Sequence, residues 1–177
     1  MMPGKAFQDC YPDDFAHCYG CGRNNAHGHH LKSHWDGDTT VARFTPRPYH
    51  TGGVPGNVYG GLIASLLDCH GAASAAAAAC RAEGREMGSA PHKRFVTASL
   101  KVDYLRPTPM DAELEVRGEI VEVKPRKVTV RLSLSANGEV CARGQMIAVQ
   151  LPDGAAKGTG QTAATAPDAS AGVTEYR

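Results

Sequence analysis

From Gly60 to Cys80 the chain is apolar or small, interrupted by Asp68 and His70, and no other stretch restricts the possible folds as much. Leu62, Ile63, Leu66, Leu67 and His70 recur at the i, i+3, i+4 spacing of a helix face. Residues 71–79 are Gly, Ala and Ser, and alanine has the highest helix propensity. The run predicts one helix over roughly 60–83, with Gly84 suited to a left-handed C-cap. A helix with almost no polar face belongs in the middle of a fold, and small side chains let strands close tightly around it. Asp68, His70 and the excess of alanine and glycine make it a core helix rather than a bilayer span.

The helix is approached through Gly56-Asn57-Val58-Tyr59-Gly60-Gly61. Glycines there allow the backbone close to another group. The free N–H groups of a first turn, with the helix dipole behind them, favour negative charge. Asp68 lies about 12 Å further along the axis, at roughly 1.5 Å per residue. A carboxylate on so apolar a helix is costly unless it is paired or does chemistry. The residues alone leave both readings open: an acid that caps another segment or pairs with an arginine, or a catalytic acid. An anion-stabilising helix start plus a carboxylate is the minimum apparatus for hydrolysing an acyl group. His70 sits about 200° around the helix from Asp68, which argues against a dyad.

The rest of the chain reads as strand. His30–Trp35 and Thr39–Thr45 flank Asp36-Gly37-Asp38, a hairpin signal. A loop of about ten residues, rich in proline and glycine and carrying His50, then leads to the helix. Beyond it, 95–105 alternates, with Val96, Ala98, Leu100, Val102 and Tyr104 on one face and Thr97, Ser99, Lys101 and Asp103 on the other. Residues 112–123, 127–135 and 139–151 continue the pattern; Asn137-Gly138 marks a second hairpin, and Gly144 a bulge or close contact. The order is β-β-α-β-β-β-β, with antiparallel strands packing one face on the helix. No phosphate loop, dinucleotide fingerprint or nucleophile elbow is present.

Residues 1–28 read as an irregular segment, 29–151 as the folded domain and 152–177 as a disordered tail. The net charge of +1 gives no reason to expect nucleic acid or a membrane surface as partner. The N-terminus lacks the apolar stretch of a signal peptide, so the six cysteines are expected as free thiols in the cytoplasm. Cys18 and Cys21 form a Cys-x-x-Cys with histidines nearby, but no second pair stands at ligand spacing. The simpler reading is a tight glycine turn with two small side chains packed inward, and no metal.

Three segments carry a family resemblance. Cys18-Tyr19-Gly20-Cys21-Gly22-Arg23-Asn24-Asn25-Ala26-His27-Gly28 is similar to a Cys-aromatic-x-Cys-Gly-x-x-Asn-Pro-x-Gly pattern. His50 through Asp68 is similar to a His-Gly-Gly followed by an acid on the helix. Tyr104-Leu105-Arg106-Pro107-Thr108-Pro109 is similar to a strand ending in Arg-Pro. In this order, over residues 17–151, the chain resembles hotdog-fold acyl-CoA thioesterases of the phenylacetate-degradation (PaaI-like) branch.

The resemblance implies an α+β hotdog fold, an antiparallel sheet of about five to six strands wrapped around one long central helix. It implies hydrolysis of an acyl-CoA thioester to free acid and coenzyme A, with no cofactor. Gly60 matches the glycine whose N–H polarises the thioester carbonyl, and Gly61 the glycine that admits loop and substrate. Asp68 matches the acid that activates water or attacks the carbonyl. In the family this acid works across a subunit interface, implying a homodimer or homotetramer. Tyr59 stands where histidine is usual, leaving that role to its hydroxyl or to Asn57; His50 and Asn25 become candidate pocket residues. Arg106 is a candidate contact for the phosphates of coenzyme A. Tyr59 also motivates the alternative, a non-catalytic acyl-CoA or lipid-binding module. A hydratase would pair the acid with a histidine, and no motif places one beside Asp68.

Overall fold

A computed structural model describes residues 4–152; the expected tail, except Pro152, lies outside the described residues. Strands β1 (Ser33–Asp36) and β2 (Thr39–Phe44) precede helix α1 (Gly60–Ala82); β3 (Phe95–Tyr104), β4 (Leu114–Lys124), β5 (Lys127–Ala136) and β6 (Glu139–Gln150) follow it. The strands form one six-stranded sheet in the order β1-β2-β4-β5-β6-β3, every neighbour antiparallel. The sheet curls around α1, which is the hotdog architecture.

Local chemistry accounts for the connections. Asp36 pairs with Thr39 across a turn in which Gly37 has φ +62°. Ala136 pairs with Glu139 across Asn137 and Gly138, both left-handed, as a tight hairpin matching strand twist requires. At the far end of α1, Gly84 has φ +66°, its N–H donates to Arg81 O and the Arg85 N–H to Cys80 O. This pair of bonds is a Schellman cap.

Helix α1 is long and apolar enough to cross a bilayer by length and composition, yet 78% of its most apolar window is buried inside the fold. Leu62, Ile63, Leu66, Leu67 and the alanines 73–79 are buried, packed against Val116 of β4, Val130, Leu132 and Leu134 of β5 and Met146 of β6 among others. Each buried Leu or Val contributes roughly 1.5–3 kcal/mol. The small residues set the distance of approach: a Cβ at Gly71 would stand 2.7 Å from the Met146 sulfur.

The predicted alternation of β3 fails at its start. The β3–β6 register slips between Thr97 and Ser99, and the extra residue of a bulge reverses which side chains face inward. Phe95 is buried in the core, and Thr97, expected on the outer face, turns to the helix. Gly144 is not at a bulge but is a close contact; a Cβ there would lie 3.1 Å from Lys101 O.

Residues 4–28 contain two short 3-10 turns, Phe7–Cys10 and Asp13–Phe15. Phe7 packs on Ala73, Ala77 and Trp35, and Gln8 exchanges hydrogen bonds with Ser33. The segment thus lies directly on α1 and β1.

Candidate active site

Helix α1 begins at Gly60 without a side-chain cap; Tyr59 is its N-cap residue. The Gly60 and Gly61 amides have no acceptor among the described residues, whereas Leu62 N–H already donates to Tyr59 O. The loop ahead is pinned by Tyr59 N–H to His50 O at 2.9 Å, Gly52 N–H to Asn57 O at 2.7 Å and Val58 N–H to Thr108 O at 2.8 Å. Tyr104 closes one side, its hydroxyl donating to Gly60 O at 2.8 Å. Tyr59, 58% exposed, lies back over the first turn, where a Cβ on Gly61 would collide with its ring. Gly61 is therefore needed for the position of Tyr59.

Two turns into the helix, Asp68 is half-buried. Its Oδ1 accepts a hydrogen bond from the Thr97 hydroxyl at 2.5 Å, and it makes no ion pair among the described residues. Among the described residues the carboxylate neither caps a segment nor pairs with an arginine. It lines a cavity of about 140 Å³ together with Cys18, Cys21, Cys69, Arg94 and Thr97. There the Cys18 and Cys69 sulfurs are 3.6 Å apart, and the sulfurs of Cys18, Cys21 and Cys69 all lie within 4.8 Å of one another. Contact with the Cys21 thiol first, and then with Cys69, pulls Cys18 toward the thiolate; the two partners are pushed up by sharing it.

His70, on the other side of α1, is fully buried. Its ring nitrogens meet Ser33 Oγ at 2.9 Å and Thr40 Oγ1 at 3.0 Å, and Thr40 also meets Ser74 Oγ at 2.7 Å. Burial pushes its pKa down to about 4, so the ring is neutral at neutral pH. It belongs to the core.

Comparison with known proteins decides the family. A thioesterase superfamily protein from Shewanella loihica PV-4 is 50% identical over 80% of this chain and 100% of its own, with a TM-score of 0.60. The Thioesterase superfamily profile matches residues 55–142. This chain belongs to the thioesterase superfamily. The membership supports thioester hydrolysis in general, and the matched residues contain both the helix start and Asp68. The PaaI protein from the phenylacetic acid degradation operon of E. coli shares the fold at 13% identity, covering 70% of this chain and 81% of its own, with a TM-score of 0.57. A Streptococcus mutans protein bound to acetyl-CoA does so at 12% identity, covering 68% and 88%, with a TM-score of 0.55. No curated protein matches.

The superfamily fold brings Tyr59, Gly60, Gly61, Asn57 and His50 together at the helix start. Asp68 stands apart from them along the same helix. The His50 ring packs among His29, Phe44 and Tyr49, and burial lowers its pKa. Asn25 is engaged within its own loop, donating to His17 O at 3.2 Å and accepting from His27 N–H at 3.1 Å. Arg106 is held by Glu139 at 2.6 Å. Sequence reasoning missed three neighbours of the site. Tyr104 begins the Tyr104–Pro109 segment, but only its contact with Gly60 gives it a place. Thr97 was hidden by the bulge. Cys69 adjoins Asp68 in sequence, but its partners Cys18 and Cys21 lie far off in the chain, near its N-terminus.

Proposed function

We propose that this thioesterase superfamily member hydrolyses acyl-CoA thioesters at a site shared by two copies of the chain. One copy supplies the Gly60 N–H, with the α1 dipole behind it, to the carbonyl oxygen of the substrate. The other supplies Asp68. As general base, the carboxylate takes a proton from water while the water oxygen bonds to the carbonyl carbon. The C–S bond then breaks, the coenzyme A thiolate leaves and takes up the proton, and the free acid remains. Thiolate is a good leaving group, so no strong general acid is needed. Attack by Asp68 itself would form a mixed anhydride that water then cleaves, with the same products.

The observation carrying this reading is the state of Asp68. It is accessible from a cavity, oriented by one hydroxyl and free of any cationic partner among the described residues. A structural acid on so apolar a helix would have a cap or an arginine. Separation along one helix, about 12 Å at 1.5 Å per residue, argues for two copies. That a protein of this fold holds acetyl-CoA supports the coenzyme A class.

The test is a screen of short, medium, long and aromatic acyl-CoAs, reading released thiol, with Asp68→Asn as the control. Turnover that vanishes in the variant supports the assignment. Equal turnover in both proteins overturns it. Tight binding measured calorimetrically, with no hydrolysis of any substrate, moves the reading to a binding module.

A further inference from the structure

The Cys-x-x-Cys turn gains in the fold what it lacks in sequence, a third cysteine from a different element. Cys69 comes from α1, and its sulfur meets both sulfurs of the turn within 4.8 Å. We propose that Cys18, Cys21 and Cys69 form a binding site for one thiophilic metal ion, zinc in the first instance, that ties the N-terminal turn to α1 beside Asp68.

Geometry supports this. Three thiolates at about 2.3 Å from a tetrahedral zinc stand roughly 3.8 Å apart; the Cys18–Cys69 pair is at 3.6 Å. The turn is built to leave nothing between the sulfurs. A Cβ at Gly20 would collide with the Cys69 sulfur and lie 3.3 Å from Ser65 Oγ. At Gly22 it would lie 2.5 Å from Cys18 N, and the Gly22 N–H closes the turn onto Cys18 O at 2.7 Å. Only glycine at both positions lets the turn present its two sulfurs to the helix.

The chemistry selects the metal. Soft thiolates prefer zinc or copper(I) to magnesium or calcium. Zinc with three thiolates carries one net negative charge, and the cavity wall sets the Arg94 cation beside it as well as the Asp68 carboxylate. The cavity, about 140 Å³, has room for a water, whose share of liquid is roughly 30 Å³, as fourth ligand. Cys10, Cys80 and Cys141 join no such group among the described residues. The turn also lies outside the residues matched by the superfamily profile, 55–142. Metal binding would therefore join a turn outside the profile-matched residues to Cys69 within them. By fixing Cys69 it would steady the helix turn that carries Asp68.

The test uses the full chain, reduced, stripped with a chelator and titrated with Co²⁺ as a spectroscopic probe. One equivalent should bind, with a thiolate-to-cobalt charge-transfer band that Zn²⁺ bleaches. Zn²⁺ should raise the melting temperature, as any ligand of the native state does. Cys69→Ser should weaken binding by at least about tenfold, while Cys80→Ser and Cys141→Ser bind as wild type. Should Cys69→Ser fail to fold, alkylation of the wild type reads the same point. Zinc should protect Cys18, Cys21 and Cys69, located by peptide mass mapping, and leave Cys10 reactive. Reduced protein that binds no Co²⁺, whatever disulfide it forms in air, overturns the site. So does binding without a charge-transfer band, undiminished binding by folded Cys69→Ser, or protection of other cysteines.

Discussion

Asp68 and His70 are two residues apart on the same helix and face opposite ways. Asp68 is half-buried, opens on a cavity and has the Thr97 hydroxyl as its hydrogen-bond partner. His70 is sealed from solvent, held neutral by burial, and tied through Ser33, Thr40, Ser74 and Gln8 to both ends of the chain's first half. A buried polar group must be satisfied on every side or it costs roughly 1–3 kcal/mol. His70 meets that requirement and so contributes to stability. Asp68 is left accessible, which suits the proton exchange with water proposed for it. The two polar groups of one core helix are thus told apart by what surrounds each side chain.

The contrast breaks most visibly at Asp68. In an acyl-CoA thioesterase, Asp68→Asn should lower turnover by about 10²- to 10⁴-fold, the usual share of a general base, and change stability by no more than about 0.5 kcal/mol. Released thiol and thermal unfolding, measured on the same preparation, check both halves. The mirror-image variant is His70→Ala, which takes one hydrogen-bond partner from each of two buried hydroxyls and opens a cavity. It should cost about 3 kcal/mol or more in denaturant unfolding and leave turnover per folded molecule within about twofold. Loss of turnover in well-folded His70→Ala would abolish the distinction.

Acid sharpens the comparison. The folded pKa of His70, about 4, lies below its ordinary value of 6.5, so the unfolded chain takes up the proton first. The stability from keeping His70 neutral is complete above pH 6.5 and is lost as pH falls toward 4. The loss is on the order of 3 kcal/mol across that window. Unfolding midpoints measured from pH 7 to pH 4 should show the slope, and His70→Gln should flatten it. Next in size is Gly118→Ala on β4. Its Cβ would stand 2.5 Å from Thr40 Oγ1 and 3.3 Å from His70 Nε2, so it should destabilise by about 1–3 kcal/mol with turnover per folded molecule unchanged. Smallest is Thr97→Val. Loss of one hydrogen bond to a charged group, about 1.5 kcal/mol, should lower the melting temperature by a few degrees and, by freeing Asp68 from the hydroxyl that orients it, slow turnover roughly tenfold.

Much of the fold could be read locally. The Leu62-to-His70 spacing and the alanine run placed α1, and Gly84 its cap, because these signals act within a few residues. Asp36-Gly37-Asp38 and Asn137-Gly138 marked the hairpins for the same reason. The candidate site was legible only in part. Gly60, Gly61 and Asp68 can be named as candidates from the sequence because helix start and acid lie in one continuous stretch. Asn25 and Arg106 were named from motif position, but the fold engages Asn25 in its own loop and Arg106 with Glu139. Thr97 was assigned to the wrong face because a bulge is set by the pairing partner, β6, and strict alternation along β3 carries no sign of it.

By itself, then, the sequence determined that a small-residue helix would be enclosed by antiparallel strands, and it put one acid on that helix beyond a glycine start. Periodicity, turn propensity and residue volume are properties of neighbouring residues. Only the tertiary structure decided which partners the polar groups on that helix would meet. Thr97 comes to Asp68, two hydroxyls to His70, and a glycine turn from near the N-terminus to Cys69. Those pairings depend on strand register and on the packing of segments far apart in the chain, where no local preference reaches.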